Sequence, residues 1–153
     1  MKPSLRGARI LIPISNFIDR EKVAKALDAI STPETHSIVL LHIIEIPSLT
    51  SPIDASHFRD DVDKVAGKLE RVAGWIREQG YKVEVKVLVA RDVAEGIVEE
   101  SNMGGYQIIL MMKRKIRSGL SRLLHRSVSE KVIRSTKAMV LTFLVEHVKK
   151  LQI

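Results

Sequence analysis

Apolar residues along this chain follow two spacings that alternate from one segment to the next. Short runs rich in Ile, Leu, Val and Met predict strands, and segments with an apolar residue every three or four positions predict helices. The predicted strands, one to five, lie at 9–14, 37–46, 82–89, 107–112 and 138–145, and the predicted helices lie at 20–30, 58–76, 92–101 and 127–135. The stretch 49–56 is rich in Ser, Thr and Pro and predicts an exposed loop, and the basic tail to residue 153 is expected to fray.

Strands that alternate with helices across short loops predict an α/β fold, in which a doubly wound five-stranded parallel sheet carries helices on both faces. The second strand is almost continuously apolar, which is typical of a central strand, whereas the third alternates charged and apolar residues as an edge strand does. We predict the strand order 3-2-1-4-5 within a single domain, 1–153. The winding then reverses between strands one and four, which predicts a crevice bounded by residues 13–16 and 112–115.

A basic segment follows the fourth predicted strand. No Asp or Glu occurs between Ser101 and Ser129, and the basic residues there are Lys113, Arg114, Lys115, Arg117, Arg122 and Arg126. The pattern Ser-x-x-Glu at 127–130 is a capping box that predicts the start of the fourth helix. Because the free N–H groups of a helix start attract anions, the segment predicts an anion site. A solvated positive rim without a ligand is the alternative, and the sequence leaves both open.

Composition narrows the classes of function. The chain has 153 residues, a formal net charge of +7 and no cysteine, so we expect a cytoplasmic protein without disulfides or a Cys-based metal site. No apolar run is long enough to span a bilayer, and the start of the chain lacks the apolar core of a signal peptide. The few aromatic residues are not interleaved with Lys and Arg, which argues against specific nucleic-acid binding. The histidines show no metal-ligand spacing and are interpreted as ordinary core or surface residues; they are His36, His42, His57, His125 and His147.

Three stretches carry a family resemblance. They are Ile-Leu-Ile-Pro-Ile at 10–14, Leu-Leu-His-Ile at 40–43 and, most specific, Ser-Gly-Leu-Ser-Arg-Leu-Leu at 118–124 followed by Ser-Val-Ser-Glu-Lys-Val at 127–132. With these elements in this order, the chain resembles the universal stress protein family over nearly its whole length. The resemblance implies an adenine-nucleotide alpha-hydrolase-like fold, a phosphate-binding loop before the fourth helix, and dimerisation through the last strand.

The chain departs from the ATP-binding members of that family. Those members carry an Asp where this chain has Ser15, and a Gly-x2-Gly-x9-Gly-Ser/Thr motif whose glycines fall here on Lys113, Ile116 and Arg126. Glycine lets backbone N–H groups approach a phosphate closely, whereas a side chain, and a β-branched one above all, resists the required conformations. We therefore expect no family-type ATP binding and no cofactor, although Lys and Arg can still hold a phosphate by charge. The residues predicted to contact a ligand are Pro13, Ser15, Ile43, Met112, Lys113, Lys115, Arg126, Ser127 and Val128.

The predicted function is that of a non-catalytic, dimeric stress-response or regulatory module that acts through partner proteins. The dimer is expected to form through 138–145, an eight-residue strand without charge or proline. The alternative is a nucleotide- or anion-responsive regulator that binds ATP, AMP or a cyclic dinucleotide between strands one and four, with a separate transporter as one conceivable partner. An enzyme is not expected, because Asp19, the carboxylate nearest the crevice in sequence, falls in the lead to the first helix.

Overall fold

A computed structural model describes residues 7–30, 36–46, 58–114, 128–145 and 149–150. The strands are β1 (Arg9–Pro13), β2 (Phe17–Ile18), β3 (Ser37–Glu45), β4 (Lys82–Ala90), β5 (Ile108–Arg114), β6 (Met139–Val145) and β7 (Lys149–Lys150). The helices are α1 (Arg20–Ile30), α2 (Arg59–Glu78), α3 (Val93–Met103) and α4 (Val128–Ser135). Within these described ranges, none of the helices combines the length and the apolar character needed to cross a membrane.

The main sheet has five strands in the order β4-β3-β1-β5-β6, and every neighbouring pair is parallel. Predicted strands one to five correspond to β1, β3, β4, β5 and β6, so the predicted order 3-2-1-4-5 and the doubly wound α/β class are confirmed. Sequence-adjacent apolar residues pack on opposite faces, since Ile10 and Ile12 join the core under α1 and α2 while Leu11 joins the core under α3 and α4. Each face of β1 is therefore buried, as its continuous apolar run requires.

Two of the helices are followed by a turn that contains a glycine with a positive φ. Gly80 after α2 has a φ of 95° and Gly105 after α3 has a φ of 67°, conformations that glycine adopts at little cost. At the other end of α3, the Asp92 side chain accepts the Glu95 N–H at 3.0 Å and caps the helix. Predicted and observed helix bounds differ by no more than two residues, which is the ordinary uncertainty of a frayed helix end.

Two expectations need correction, and a third falls outside the described residues. The tail does not simply fray, because Lys149–Lys150 pairs antiparallel with Phe17–Ile18. Neither two-residue strand was predicted, since two residues are too few to show a periodicity. β5 continues to Arg114 instead of stopping at residue 112, because Lys113 and Arg114 pair with Leu144 and Val145 of β6. The predicted capping box depends on Ser127, which lies outside the described residues.

β6 is an edge strand, as predicted. Its only sheet neighbour within the described chain is β5, and two of its large apolar side chains are more than half exposed, Met139 at 60% and Leu144 at 51%. The opposite edge, β4, is protected differently, because Glu84 and Lys86 are held in ion pairs with Arg9 and Glu100. The sheet therefore has one charged edge and one apolar edge.

Candidate ligand-binding site

A cavity opens where the central strands separate at their carboxyl ends. β1 pairs with β5 only at Ile10 and Leu11, so the remaining length of β5 runs on without β1 beside it. The chain leaves β1 toward α1 on one face of the sheet, and α4 follows β5 on the other face. The resulting cavity encloses about 480 Å³ and lies at the reversal of winding, where doubly wound proteins bind their ligands.

Six of the nine predicted ligand-contacting residues line this cavity together. They are Pro13, Ser15, Ile43, Met112, Lys113 and Val128. They come from four separate elements or their exits, so the topology brings them together across 115 positions of sequence from Pro13 to Val128. The other three, Lys115, Arg126 and Ser127, lie outside the described residues.

The structure adds lining residues that the sequence analysis did not select. These are Ile14, Asn16, Phe17, Leu41, His42, Val93, Ile97, Met111 and Ser129. Most of them are apolar residues of strands and helices, and a periodicity that predicts a buried side chain does not distinguish the core from a cavity wall. Ile14 and Asn16 are the exceptions, because they lie within the range 13–16 that was predicted to bound the crevice, although they were not selected as ligand contacts.

Between β1 and β3, the cavity begins where the backbone hydrogen bonds that join the two strands end. The Ile14 N–H donates to the Leu41 carbonyl at 2.8 Å. The next rung of a regular parallel ladder would join the Ile43 N–H to the Ile14 carbonyl, and this backbone bond is not formed among the described residues. The Ile14 carbonyl instead accepts a hydrogen bond from His42 Nδ1 at 2.7 Å. A side chain thus replaces the backbone at the point where the two strands separate.

Helix α3 forms a second wall because it packs very closely on the sheet. Gly96 is buried at that contact, and a methyl group on its Cα would lie 2.9 Å from Ile43 Cδ1 and 3.1 Å from Ala90 Cβ. Since Ile43 also lines the cavity, the absence of a side chain at Gly96 allows α3 to set the position of this cavity wall.

An ion pair joins the starts of the two helices beside the cavity. Lys131 Nζ of α4 lies 3.1 Å from Asp92 Oδ2, the capping residue of α3. The hydrogen bond from the Glu95 N–H, followed by that from Lys131, lowers the pKa of Asp92 below its ordinary value. Asp92 therefore stays charged to a lower pH than an ordinary Asp does, and its charge is already shared with these two partners.

The charge on the described cavity lining is positive. Lys113 is the cation among the described lining residues, and no carboxylate is present among them. Asp19, the carboxylate nearest in sequence, accepts the Lys22 N–H at 3.1 Å and serves as the cap of α1. The described residues also contain no group of three His, Asp or Glu side chains placed to hold a metal ion. The lining formed by the described residues therefore combines a mainly apolar surface with a few hydrogen-bonding groups and the positive charge of Lys113.

This arrangement defines the class of protein: a doubly wound α/β domain with a ligand-sized cavity at the switch point of its sheet. The family model described as the universal stress protein family matches residues 8–143. The chain therefore belongs to the universal stress protein family, and the resemblance drawn from the sequence is confirmed. No curated protein matches the chain significantly.

Solved structures share the fold. The hypothetical protein MJ0577 is 24% identical, with a TM-score of 0.70 and coverage of 93% of this chain and 99% of that one. A universal stress protein in complex with cAMP is 12% identical, with a TM-score of 0.63 and coverage of 91% and 98%. A universal stress family protein of Arabidopsis thaliana with AMP bound is 18% identical, with a TM-score of 0.59 and coverage of 90% and 91%. At these identities, the likeness establishes the fold and not the ligand of this chain.

Proposed function

We propose that this protein is a non-catalytic regulatory module of the universal stress type, which acts as a homodimer in the cytoplasm and does not bind ATP as the family's ATP-binding members do. The observation that carries the proposal is the identity of two cavity-lining residues. Ser15 stands where those members have a carboxylate, and Lys113 stands where their motif has its first glycine. Both substitutions lie on the cavity wall, so they act directly on what the cavity accepts.

The absence of catalysis is inferred from how the candidate groups are used. General acid or base chemistry needs a titratable group within hydrogen-bond reach of the reacting atom and a second group that orients it. The Asp19 carboxylate caps α1, and the Asp92 carboxylate caps α3 and pairs with Lys131. His42 Nδ1 is bonded to a backbone carbonyl instead of a carboxylate. None of these contacts links a nucleophile to a base, or a base to a carboxylate that would orient it.

Dimerisation is supported by the apolar edge of the sheet. Strand β6 has no strand on its outer edge within the described chain, where the Leu144 carbonyl accepts a hydrogen bond from Lys22 Nζ, and it exposes the side chains of Met139 and Leu144. Pairing with a second copy about a two-fold axis would satisfy the other backbone groups of this edge and bury the apolar side chains. The same edge could instead bind a different protein, and the mass of the native assembly distinguishes a homodimer from such a complex.

Calorimetric titration with ATP tests the loss of family-type binding. We expect a dissociation constant weaker than micromolar, that is, a binding free energy less favourable than about −8 kcal/mol. Ser15→Asp is the informative variant, because it restores the carboxylate without altering the sheet. A micromolar constant for the unmodified protein would refute this part of the proposal. Native mass spectrometry of the same preparation reports the subunit number and any retained nucleotide together.

A second candidate function is a sensor of a smaller phosphate-bearing ligand such as AMP. The cavity volume of about 480 Å³ lies within the range of roughly 300–1,000 Å³ that is common for small-molecule sites. Two of the similar structures contain cAMP and AMP, respectively. In the described lining, an apolar surface with Lys113 as its cation suits a ligand that has a flat apolar part and a modest negative charge, whereas a triphosphate brings more charge than Lys113 alone offsets.

Titration with AMP tests this second candidate. Lys113→Gln should weaken AMP binding by about tenfold, the loss of one charge-assisted contact. Lys131→Gln is the matched control, since Lys131 is paired with Asp92 and does not line the cavity. Equal effects of the two substitutions would show that only the general positive field attracts AMP and would contradict a contact with Lys113.

A further inference from the structure

His42 is the cavity residue whose chemistry is not explained by the fold alone. It lies on β3 one position before Ile43, it is half-buried, and it lines the cavity. Its Nδ1 is 2.7 Å from the Ile14 carbonyl oxygen, which can only accept a hydrogen bond. Nδ1 therefore carries a proton, and in the neutral ring Nε2 is left as an acceptor.

The second ring nitrogen has no partner among the described residues. The ring's hydrogen bond to a described residue is the one made by Nδ1, and the ring lines the cavity. An imidazole serving only as a filler of the core would be expected to have both nitrogens buried or paired. Among the described residues, the ring is instead fixed at one nitrogen and unpaired at the other, on the wall of a cavity.

We propose that His42 is a specificity-determining residue of the cavity, whose Nε2 accepts a hydrogen bond from a neutral N–H or O–H group of the ligand. This inference rests on the second candidate function, that the cavity binds a small nucleotide. The bond to Ile14 holds the ring in one orientation and one tautomer, so the acceptor is already in place before the ligand arrives. A preorganised acceptor discriminates well, because a ligand that lacks the donor leaves Nε2 without a partner.

Two nucleotides distinguish the possible donors. AMP carries an amino group where inosine monophosphate (IMP) carries a carbonyl oxygen, and the two share their ribose hydroxyls and phosphate. If the base amino group donates to Nε2, AMP should bind about tenfold more tightly than IMP. AMP then forms one hydrogen bond with Nε2, whereas the carbonyl oxygen of IMP places a second acceptor against it. If a ribose hydroxyl donates, both should bind alike in the unmodified protein.

Two substitutions separate the structural role of the ring from its role toward the ligand. His42→Asn keeps an amide donor near the position of Nδ1, and can retain the bond to the Ile14 carbonyl, but it places nothing at the position of Nε2. His42→Gln reaches the position of Nε2 and loses the donor near Nδ1. We expect His42→Asn to keep the thermal midpoint of the unmodified protein and His42→Gln to lower it.

Titration of His42→Asn with both nucleotides decides the proposal. A loss of affinity for AMP alone supports the proposal and identifies the base amino group as the donor. An equal loss of at least fivefold for both nucleotides also supports it and identifies a ribose hydroxyl as the donor. Unchanged affinities, with the thermal midpoint preserved, would overturn the role of His42 and leave nucleotide binding intact. Binding of neither nucleotide by the unmodified protein would overturn the second candidate function and this inference with it.

The tautomer gives a test that needs no ligand. Imidazole ¹⁵N shifts of the neutral His42 ring in the unmodified protein should show the proton on Nδ1 and none on Nε2. A proton on Nε2 would make that atom a donor and would overturn the proposal. AMP should also shift the Nε2 resonance, whereas an unshifted resonance in the AMP complex would contradict direct contact.

Discussion

The close contact of α3 with the sheet makes Gly96 the most informative position to perturb. Gly96→Ala would place a methyl group 2.9 Å from Ile43 Cδ1 and 3.1 Å from Ala90 Cβ. Alanine gains up to about 1 kcal/mol over glycine in a helix interior, but overpacking costs about 1–3 kcal/mol. Ile43 Cδ1 can rotate away, whereas Ala90 Cβ is fixed to the strand backbone. The contact with Ala90 therefore decides the sign, and we expect a net loss of about 1 kcal/mol.

Gly67→Ala is the matched control. Gly67 is an exposed residue in the middle of α2, and a methyl group there would meet nothing within 4 Å. The helix-propensity gain is then unopposed, so Gly67→Ala should stabilise the protein by about 0.5–1 kcal/mol. The two variants then differ by about 1.5–2 kcal/mol, which at about 3 °C for each kcal/mol is a difference in Tm of about 5–6 °C.

Urea and thermal denaturation followed by far-ultraviolet circular dichroism measure both effects, with the protein concentration held constant because of the proposed dimer. The cavity supplies a second measurement, since displacement of Ile43 in Gly96→Ala should also weaken AMP binding. If Gly96→Ala were as stable as Gly67→Ala, the close packing of α3 against Ile43 and Ala90 would be wrong.

Two further predictions concern the helix cap and the sheet edge. Since the pKa of Asp92 is lowered in the folded protein, its stabilising contribution is complete above the unfolded value of about 3.9 and is lost as the pH falls through the lowered value. Asp92→Ala should thus cost about 1 kcal/mol at neutral pH, and urea titrations in which this cost does not decrease as the pH falls below about 3.9 would contradict this. The Met139 N–H donates to the Gln107 carbonyl at 2.9 Å, and N–H groups alternate in direction along a strand, so that of Thr142 points to the open edge. Thr142→Pro should therefore yield monomer or aggregate in light scattering while Thr142→Val remains dimeric, and an unmodified protein that is a stable monomer would refute the dimer.

Much of the fold follows from local patterns that the sequence displays directly. The continuous apolar run of 37–46 is buried on both faces as β3, and the alternating run of 82–89 is the edge strand β4. The parallel order then follows from the alternation of strands and helices, because right-handed crossovers leave few arrangements. The same topology predicted where Pro13, Ser15, Met112 and Lys113 would meet, and all four line the cavity.

What the sequence could not determine depends on contacts between distant side chains. Nothing in the local pattern shows that the His42 ring bonds to a carbonyl 28 positions earlier, and the residue was interpreted as ordinary for that reason. The close approach of Gly96 to Ile43 and the pairing of β2 with β7 are equally invisible, because a glycine and a two-residue strand carry no periodicity. The sequence by itself therefore determined the sheet, its order and the position of the cavity, through burial patterns that each segment records on its own. Only the tertiary structure decided which groups the cavity presents, because hydrogen bonds and close contacts between separate elements exist only once those elements have packed.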